Sequence, residues 1–423
     1  MAKITAFTGK LKELSKNYQP DLGIILIALG LRILWAIAVP VIPVSDSNAY
    51  DTFALNLATG QGYGWKSGDP TAYWPPGTSF VYALFYWLFG HSYLPIIVFN
   101  LLLTAVIIWV SMRLAETWFN RRIAIVTGII LALWPSQIQF TTVLASELLF
   151  TALVLVGLWL WLNEGLTLRS RALGVAVVLA AASYVRPTAL LIPILLLFER
   201  AVRTREIFKN LTATLVMFVV MALLIAPWSI RNTQVFGQFT TISTNSGANL
   251  WMGNNPDSTG GYMPLPPDVK EMNEAQRDDY LKSVAVAHIK EKPFLFIRRS
   301  LVRLVQTHAR ESIGVSWNEK GLVKRYGTGV LLPLKIINQL YWLAALGLGL
   351  IGIVLLGKQQ GWVMMIFHPT VLFWGYFAAV HAVIVAQDRY HFPSIPMIAI
   401  LAALTILSLL KVRQNRQKIS ETS

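Results

Sequence analysis

Residues 22–77 read LGIILIALGLRILWAIAVPVIPVSDSNAYDTFALNLATGQGYGWKSGDPTAYWPPG, and the boundary inside this stretch decides the fold class. Leu22–Ile42 is an apolar run broken by a single charge, Arg32. At 1.5 Å per residue it is long enough to cross a bilayer as a helix. From Ser45 the chain turns abruptly polar, with Asp46, Asp51 and Asp69. Within it Tyr50, Phe53, Ala54, Leu57 and Ala58 keep helical spacing, which predicts a helix over Ser47–Ala58 lying on an apolar surface. Gly60, Gly62 and Gly64 end it.

The rest of the chain repeats the first pattern. Of 423 residues, 55% are hydrophobic, and the mean hydropathy is +0.54. A soluble chain of this length could not bury so much apolar surface. The apolar residues come in blocks of span length. The chain therefore reads as an all-α polytopic membrane protein. About ten spans are expected: Leu22–Ile42, Tyr93–Met112, Ala124–Phe140, Leu148–Leu162, Leu173–Tyr184, Ala189–Phe198, Leu211–Trp228, Val330–Leu356, Trp362–Ala386 and Phe392–Leu410. Pro76–Gly90 is apolar but short, and is read as a surface or re-entrant helix.

Charge assigns the sides. Lys3, Lys10, Lys12 and Lys16 precede the first span, so both termini are expected in the cytoplasm and residues 44–92 outside. In this register the short loops carrying Arg113, Arg121, Arg122, Arg169, Arg171, Arg200 and Lys358 are all cytoplasmic. The opening MAKITAFTGKLKELSKNYQP reads as a cytoplasmic tail rather than a cleavable signal. The expected divisions are 1–20 (cytoplasmic tail), 21–228 (transmembrane module), 229–329 (external helical loop), 330–410 (C-terminal spans) and 411–423 (cytoplasmic tail). In the long loop, Ser243–Gly261 predicts turns rather than a packed core. Amphipathic helices are predicted over Asp268–Lys290 and Pro293–His308, the second of a membrane-surface or bundle-capping kind.

The net charge of +15 fits cytoplasmic loops and anionic lipid; no nucleic-acid motif is present, and none is expected as a partner. The absence of cysteine excludes disulfides, thiolate metal sites and cysteine nucleophiles. There is no HExxH, phosphate-binding loop or GxSxG.

Chemistry-bearing residues gather at span ends on the outer side. Asp46, Glu147, Arg186, Asp388 and Arg389 come from four separate loops, and charges at membrane depth are costly and commonly functional. Asp46 has two readings, a helix N-cap or a carboxylate that accepts a proton from a hydroxyl. Glu147 is a first-turn acid, an acceptor contact, or with Asp46 a ligand for a divalent cation, Mg or Mn. Arg389 and Arg186 suit phosphate, with Asp388 an alternative salt-bridge partner. Tyr50, Asp51, Asn245, Asn255, Tyr390 and His391 are supporting candidates. Arg32, at mid-span, must pair within the bundle or reach a polar cavity.

Asp46, Tyr50, Ala54, Leu57, Ala58, Gly60 and Gly62-Tyr63, followed by PTAYWPPGTSFVYALFYWLFG (Pro70–Gly90), resemble the first external loop of the GT-C glycosyltransferases. The likeness is to the protein O-mannosyltransferase and aminoarabinose-transferase types (glycosyltransferase family 39-like). SELLF (146–150), VRPTALLIP (185–193), APWSIRNTQVFG (226–237), STNSGANLWMGNNP (243–256) and DRYHFPSIP (388–396) resemble later blocks. The resemblance implies a polyprenyl-phosphate-linked sugar as donor and a glycan, lipid or protein hydroxyl as acceptor. It also implies a site on the external face of a bacterial-type inner membrane. Asp46 would be the base, Glu147 the second-loop acid, and Arg389 a contact of the donor phosphate. The chain departs from both types. Ser47 follows Asp46 where protein mannosyltransferases have an Asp-Glu pair, and the bulky C-terminal domain of aminoarabinose transferases is missing. The alternatives are a flippase or transporter of lipid-linked glycans, and a ligase or polymerase with a pyrophosphate donor.

Overall fold

The computed structural model describes residues 2–422, with side chains placed for 19–415 and 417. It is almost wholly helical. In chain order the helices are α1 (Ala2–Ala38), α2 (Asp46–Ala58), α3 (Gly77–Phe89), α4 (Leu94–Trp118), α5 (Arg121–Ala132), α6 (Pro135–Gln139), α7 (Glu147–Leu162), α8 (Leu168–Val185) and α9 (Ile192–Thr204). They continue with α10 (Ile207–Phe236), α11 (Ser246–Asn254), α12 (Glu274–Glu291), α13 (Pro293–Ala309), α14 (Ile313–Tyr326), α15 (Leu331–Gln360), α16 (Trp362–Phe367), α17 (Pro369–Val383) and α18 (Ile395–Thr422). Much of the expected tails, 1–20 and 411–423, lies outside the residues with described side chains.

Each of the ten expected spans falls on helix. Among the described residues six helices are long and apolar enough to cross a membrane: Gln19–Ala38, Leu94–Trp118, Leu168–Val185, Ile207–Phe236, Thr328–Gln360 and Phe392–Asn415. α18 is the central one; Met397–Leu404 are all buried, packed against α15 and α5. α1 lies on α4 and α5, and α8 is gripped between α7 and α10.

Proline accounts for several departures from the expected spans. The first helix stops at Ala38, before Pro40 and Pro43, because each proline removes a backbone donor. The segment expected as Ala124–Phe140 is broken at Pro135, where α5 and the stretch from α6 to Thr142 meet at 55°. Arg32 closes this break. Its guanidinium donates to the carbonyls of Ala132 (3.1 Å) and Leu131 (3.3 Å), and to Ala28 within its own helix (3.1 Å). Those are C-terminal carbonyls of α5; Leu131 O has Pro135 at its i+4 position and otherwise only the long bond from Trp134 N (3.5 Å), so the intramembrane arginine is bound structurally. Trp362–Ala386 is two helices, parted at His368 before Pro369; the His368 ring accepts from Thr370 N. Ala189–Phe198 begins as a 3-10 turn, Pro187–Leu191, before α9.

The segments expected outside differ more from expectation. α10 runs on to Phe236, so the long loop starts at Gly237. Ser243–Gly261 is not all turn: it holds α11, whose Ala248, Trp251 and Met252 are buried against α12 and Val385. α14 was not foreseen. A two-stranded hairpin, Gly64–Lys66 with Asp69–Pro70, interrupts the first loop. α3 is a single thirteen-residue helix with one buried face.

A buried arginine fastens the long loop to the bundle. Arg303 of α13 donates to Ala382 O (2.6 Å), Val383 O (3.4 Å), the Asn254 side chain (3.0 Å) and Gly253 O. α11 approaches so closely here that a Cβ on Gly253 would lie 1.5 Å from Ile384 O. This position admits only glycine.

Candidate active site

Four of the five charges expected on the outer side come together. Asp46 opens α2 directly after Ser45, which holds φ 51° and ψ −129°. A non-glycine residue at positive φ is strained, and such strain persists where the surroundings dictate it. Ser45 holds the N-cap position, and its side chain makes no capping hydrogen bond; Asp46 is the first helical residue. The Asp46 Oδ2 accepts from Arg389 Nη2 at 2.6 Å, and among the described residues Oδ1 has no hydrogen-bond partner. The N-cap reading is therefore set aside by the geometry.

Arg389 sits in the loop between α17 and the 3-10 turn Phe392–Ser394, where three prolines (Pro369, Pro393, Pro396) bound the helical segments. Its Nε donates to Gln387 Oε1 at 2.9 Å. Its guanidinium lies 4.6 Å from the Trp317 ring centre and 5.5 Å from that of Tyr390. Nη1 lies 3.6 Å from Glu147 Oε1. Glu147 is wholly buried at the first turn of α7 and takes Arg186 Nη2 on the same Oε1 at 2.5 Å. Arg186 Nε donates to Ser146 Oγ at 2.9 Å. The result is a linear chain of alternating charge: Asp46, Arg389, Glu147, Arg186. The four charges sum to zero, which is how a buried cluster avoids an uncompensated ion.

Burial opposes the charge on Arg389, but Asp46, Tyr390 and Glu147 outweigh it and hold the guanidinium more firmly protonated than usual. Tyr50 is pushed up by burial first and by the negative charges of Asp46 and Glu147 second, so its hydroxyl stays neutral. Tyr73 is raised chiefly by burial; Arg277 opposes this, and the charges of Asp46, Tyr262 and Tyr390 add to it. The net effect places it at about 12. Tyr390 stacks on His381, ring centres 4.1 Å apart and 15° from parallel.

The other candidates lie elsewhere. Asp388 does not pair with Arg389; its Oδ2 accepts from Ser312 N (3.1 Å) and Ser312 Oγ (2.6 Å). His391 pairs with Glu311 and stacks on Trp342 at 4.0 Å. Asp51 is a joint between helices, accepting from Tyr86 (2.5 Å), Tyr93 (3.0 Å) and His91 (3.0 Å). Asn255 shapes its own turn through Trp251 O and Asp257 N, and Asn245 accepts from Ser243 Oγ. Trp317 and Gln387 were missed. Gln387 adjoins the DRYHFPSIP block, but nothing in the sequence foretold α14 and with it Trp317.

A divalent cation does not fit this arrangement. Asp46 and Glu147 bracket the Arg389 guanidinium, so the space between the two carboxylates already holds a cation. Among the described residues no group of three His, Asp or Glu is placed to hold a metal.

An apolar cavity of about 560 Å³ opens along the C-terminal half of α10. It is lined by Leu190, Phe218, Met221, Ile225, Ile230 and Ile242, among others. Leu190 lies one turn beyond Arg186 in the chain.

Residues 74–230 match the family described as dolichyl-phosphate-mannose-protein mannosyltransferase. No curated protein matches the sequence. Among solved structures, the chain is similar to the archaeal oligosaccharyltransferase AglB from Archaeoglobus fulgidus in complex with an inhibitory peptide and a dolichol-phosphate. The TM-score is 0.56 at 12% identity, over 97% of this chain and 52% of that one. The Archaeoglobus fulgidus oligosaccharyltransferase tethered with an acceptor peptide gives 0.56 at 13% identity, over 94% and 50%. ArnT from Cupriavidus metallidurans bound to undecaprenyl phosphate gives 0.43 at 15% identity, over 91% and 77%, too low a score to carry an argument. The chain spans about half the length of the oligosaccharyltransferases whose fold it shares.

Proposed function

We propose that this chain, an integral membrane protein with the GT-C fold, is a glycosyltransferase. It moves a sugar from a polyprenyl-phosphate carrier to an acceptor hydroxyl on the external face of the membrane. The observation that carries the reading is the chain Asp46, Arg389, Glu147, Arg186. Four sequence-distant segments converge to put one carboxylate oxygen free beside a row of fixed cations. That is the equipment for deprotonating a hydroxyl next to a departing phosphate.

In the proposed reaction the acceptor oxygen attacks the anomeric carbon while its proton passes to Asp46 Oδ1. The bond from that carbon to the phosphate oxygen breaks, and its electron pair leaves with the phosphate. A single displacement inverts the anomeric configuration. Arg389 and Arg186 stabilise charge growing on the phosphate; preorganised donors of this kind contribute roughly 3 kcal/mol each. Glu147 holds both arginines in line. The phosphate competes with Asp46 for Arg389, so donor binding also relieves the aspartate of its cation. No step is routed through a metal. The cavity beside α10 would take the isoprenoid tail, since its walls are hydrocarbon and it starts one turn from Arg186. Orientation follows the basic loops read from the sequence.

The test is Asp46→Asn in lipid nanodiscs. The variant is expected to keep its thermal stability and bind undecaprenyl phosphate, yet lose transfer by a factor on the order of 10²–10⁴. Retained transfer would end the assignment of the base. A flippase would instead move carrier across vesicles with no acceptor present.

A further inference from the structure

The loop that aims Arg389 is held from outside the bundle. Two consecutive residues at the corner between α13 and α14 each grip a residue flanking it. Ser312 donates through N and Oγ to Asp388, one residue before Arg389. Glu311 pairs with His391, two residues after it. Glu311 is itself fixed: Ser136 Oγ of α6 donates to it, and its backbone N donates to Gln339 of α15 at 3.2 Å. Five residues beyond Ser312, Trp317 supplies the face under the Arg389 guanidinium. Glu311 and Ser312 therefore touch none of the four charges of the site, yet their partners bracket one of them.

The geometry also assigns a charge to His391. Nδ1 faces Thr307 O at 2.8 Å, a carbonyl that only accepts, and Nε2 faces the Glu311 carboxylate. Opposite an ionised Glu311 both ring nitrogens donate, which makes the ring an imidazolium. It is almost fully buried, so its neighbours decide whether it stays charged. They are Glu311 and Asp388, which favour the charge; His308, 6.1 Å away between ring centres; His381, which also feels His391; and Trp342, which stacks on it.

We propose that Glu311 and Ser312 are positioning residues for Arg389. The external α13–α14 corner clamps Asp388 and His391, and through them it sets how tightly the site holds a polyprenyl phosphate. This rests on the reading of Arg389 as a donor-phosphate contact. The clamp is complete while His391 is charged. Burial opposes that charge, but Glu311 and the Thr307 carbonyl lift the ring above its ordinary value. The clamp is thus whole below about pH 6.5 and is lost as pH rises through the raised value.

The experiment measures undecaprenyl phosphate binding to the full chain in nanodiscs from pH 6 to 9. It compares wild type, Glu311→Gln, His391→Gln, Ser312→Ala, Arg389→Ala and the double variant Glu311→Gln/Arg389→Ala. Glu311→Gln is expected to weaken binding about tenfold at pH 6 when Arg389 is present, and less than twofold when it is absent. The wild-type advantage over His391→Gln should shrink toward pH 9; titration of the lipid phosphate is common to both and cancels. Equal weakening in the two backgrounds, no weakening in either, or a pH-independent advantage overturns the clamp while leaving Arg389 as a donor contact. Full affinity in Arg389→Ala overturns the donor reading and the clamp with it. If Glu311→Gln does not fold, Ser312→Ala, which removes one of the two bonds to Asp388, decides by the same comparison.

Discussion

Replacing Glu147 by glutamine removes the one negative charge that two guanidiniums share. The carboxylate has no exposure to solvent, and its Oε1 lies 2.5 Å from Arg186 and 3.6 Å from Arg389. Breaking a buried ion pair by neutralising one partner costs about 3–5 kcal/mol. Glutamine keeps an oxygen for one hydrogen bond to Arg186, which returns about 1 kcal/mol, leaving a loss of roughly 2–4 kcal/mol. In a chain of this size that lowers the melting temperature by about 2–5 °C. The deficit has a particular chemistry, a surplus of positive charge, so an anionic ligand should repair it. Undecaprenyl phosphate at a hundredfold excess over its Kd stabilises a single-site protein by about 2.7 kcal/mol. The variant should gain more than wild type, because the phosphate supplies the charge that was removed. The assay is thermal unfolding in nanodiscs with and without the lipid. The reasoning is refuted if Glu147→Gln melts like wild type, or if the gap between them is as wide with lipid as without it.

Three further outcomes follow from the same geometry. Arg303→Leu strips donors from Ala382 O and Gly253 O, each a buried acceptor whose loss costs about 1–3 kcal/mol; limited proteolysis within 255–270 should accelerate at least tenfold while the transmembrane fragments stay intact. His308 accepts from Trp374 Nε1 through Nε2, and burial first, with His391 as a smaller cause, lowers it to about 4. The unfolded chain therefore binds the proton first, so stability falls as pH drops from about 6.5 to 4, and His308→Gln should flatten that part of the melting profile. Arg32→Met strips the donor from Ala132 O and leaves Leu131 O only the long bond from Trp134 N (3.5 Å); the cost of about 1–3 kcal/mol should lower the melting point by about 1–3 °C, with undecaprenyl phosphate affinity unchanged. Weakened affinity there would place Arg32 in the site after all.

Local pattern was enough for the membrane helices, because a bilayer demands long apolar segments and these are written continuously in the chain. It was enough to single out Asp46, Glu147, Arg186 and Arg389 as well, since a charge at the end of an apolar run stands out against its neighbours. The breaks at Pro135 and Pro369 were visible as residues but not as angles, which depend on what packs behind them. Arg32 shows the same limit: the run around it demanded a partner, and only the broken end of α5, a hundred residues away, supplied one.

The amino-acid order by itself determined that this is a polytopic helical membrane protein, where its apolar segments lie and which ionic groups sit at their ends. Tertiary structure alone decided which of those groups meet. It joined Arg389 to Asp46 rather than to adjacent Asp388, because neighbours along a tight turn point apart while residues hundreds of positions away share one wall. It also formed α11 from a stretch rich in asparagine and glycine, since Trp251 and Met252 gain more by burial against α12 and Val385 than local turn preference offers. Hydropathy is a property of each segment in turn, whereas pairing of charges depends on distances that exist only once the helices have packed.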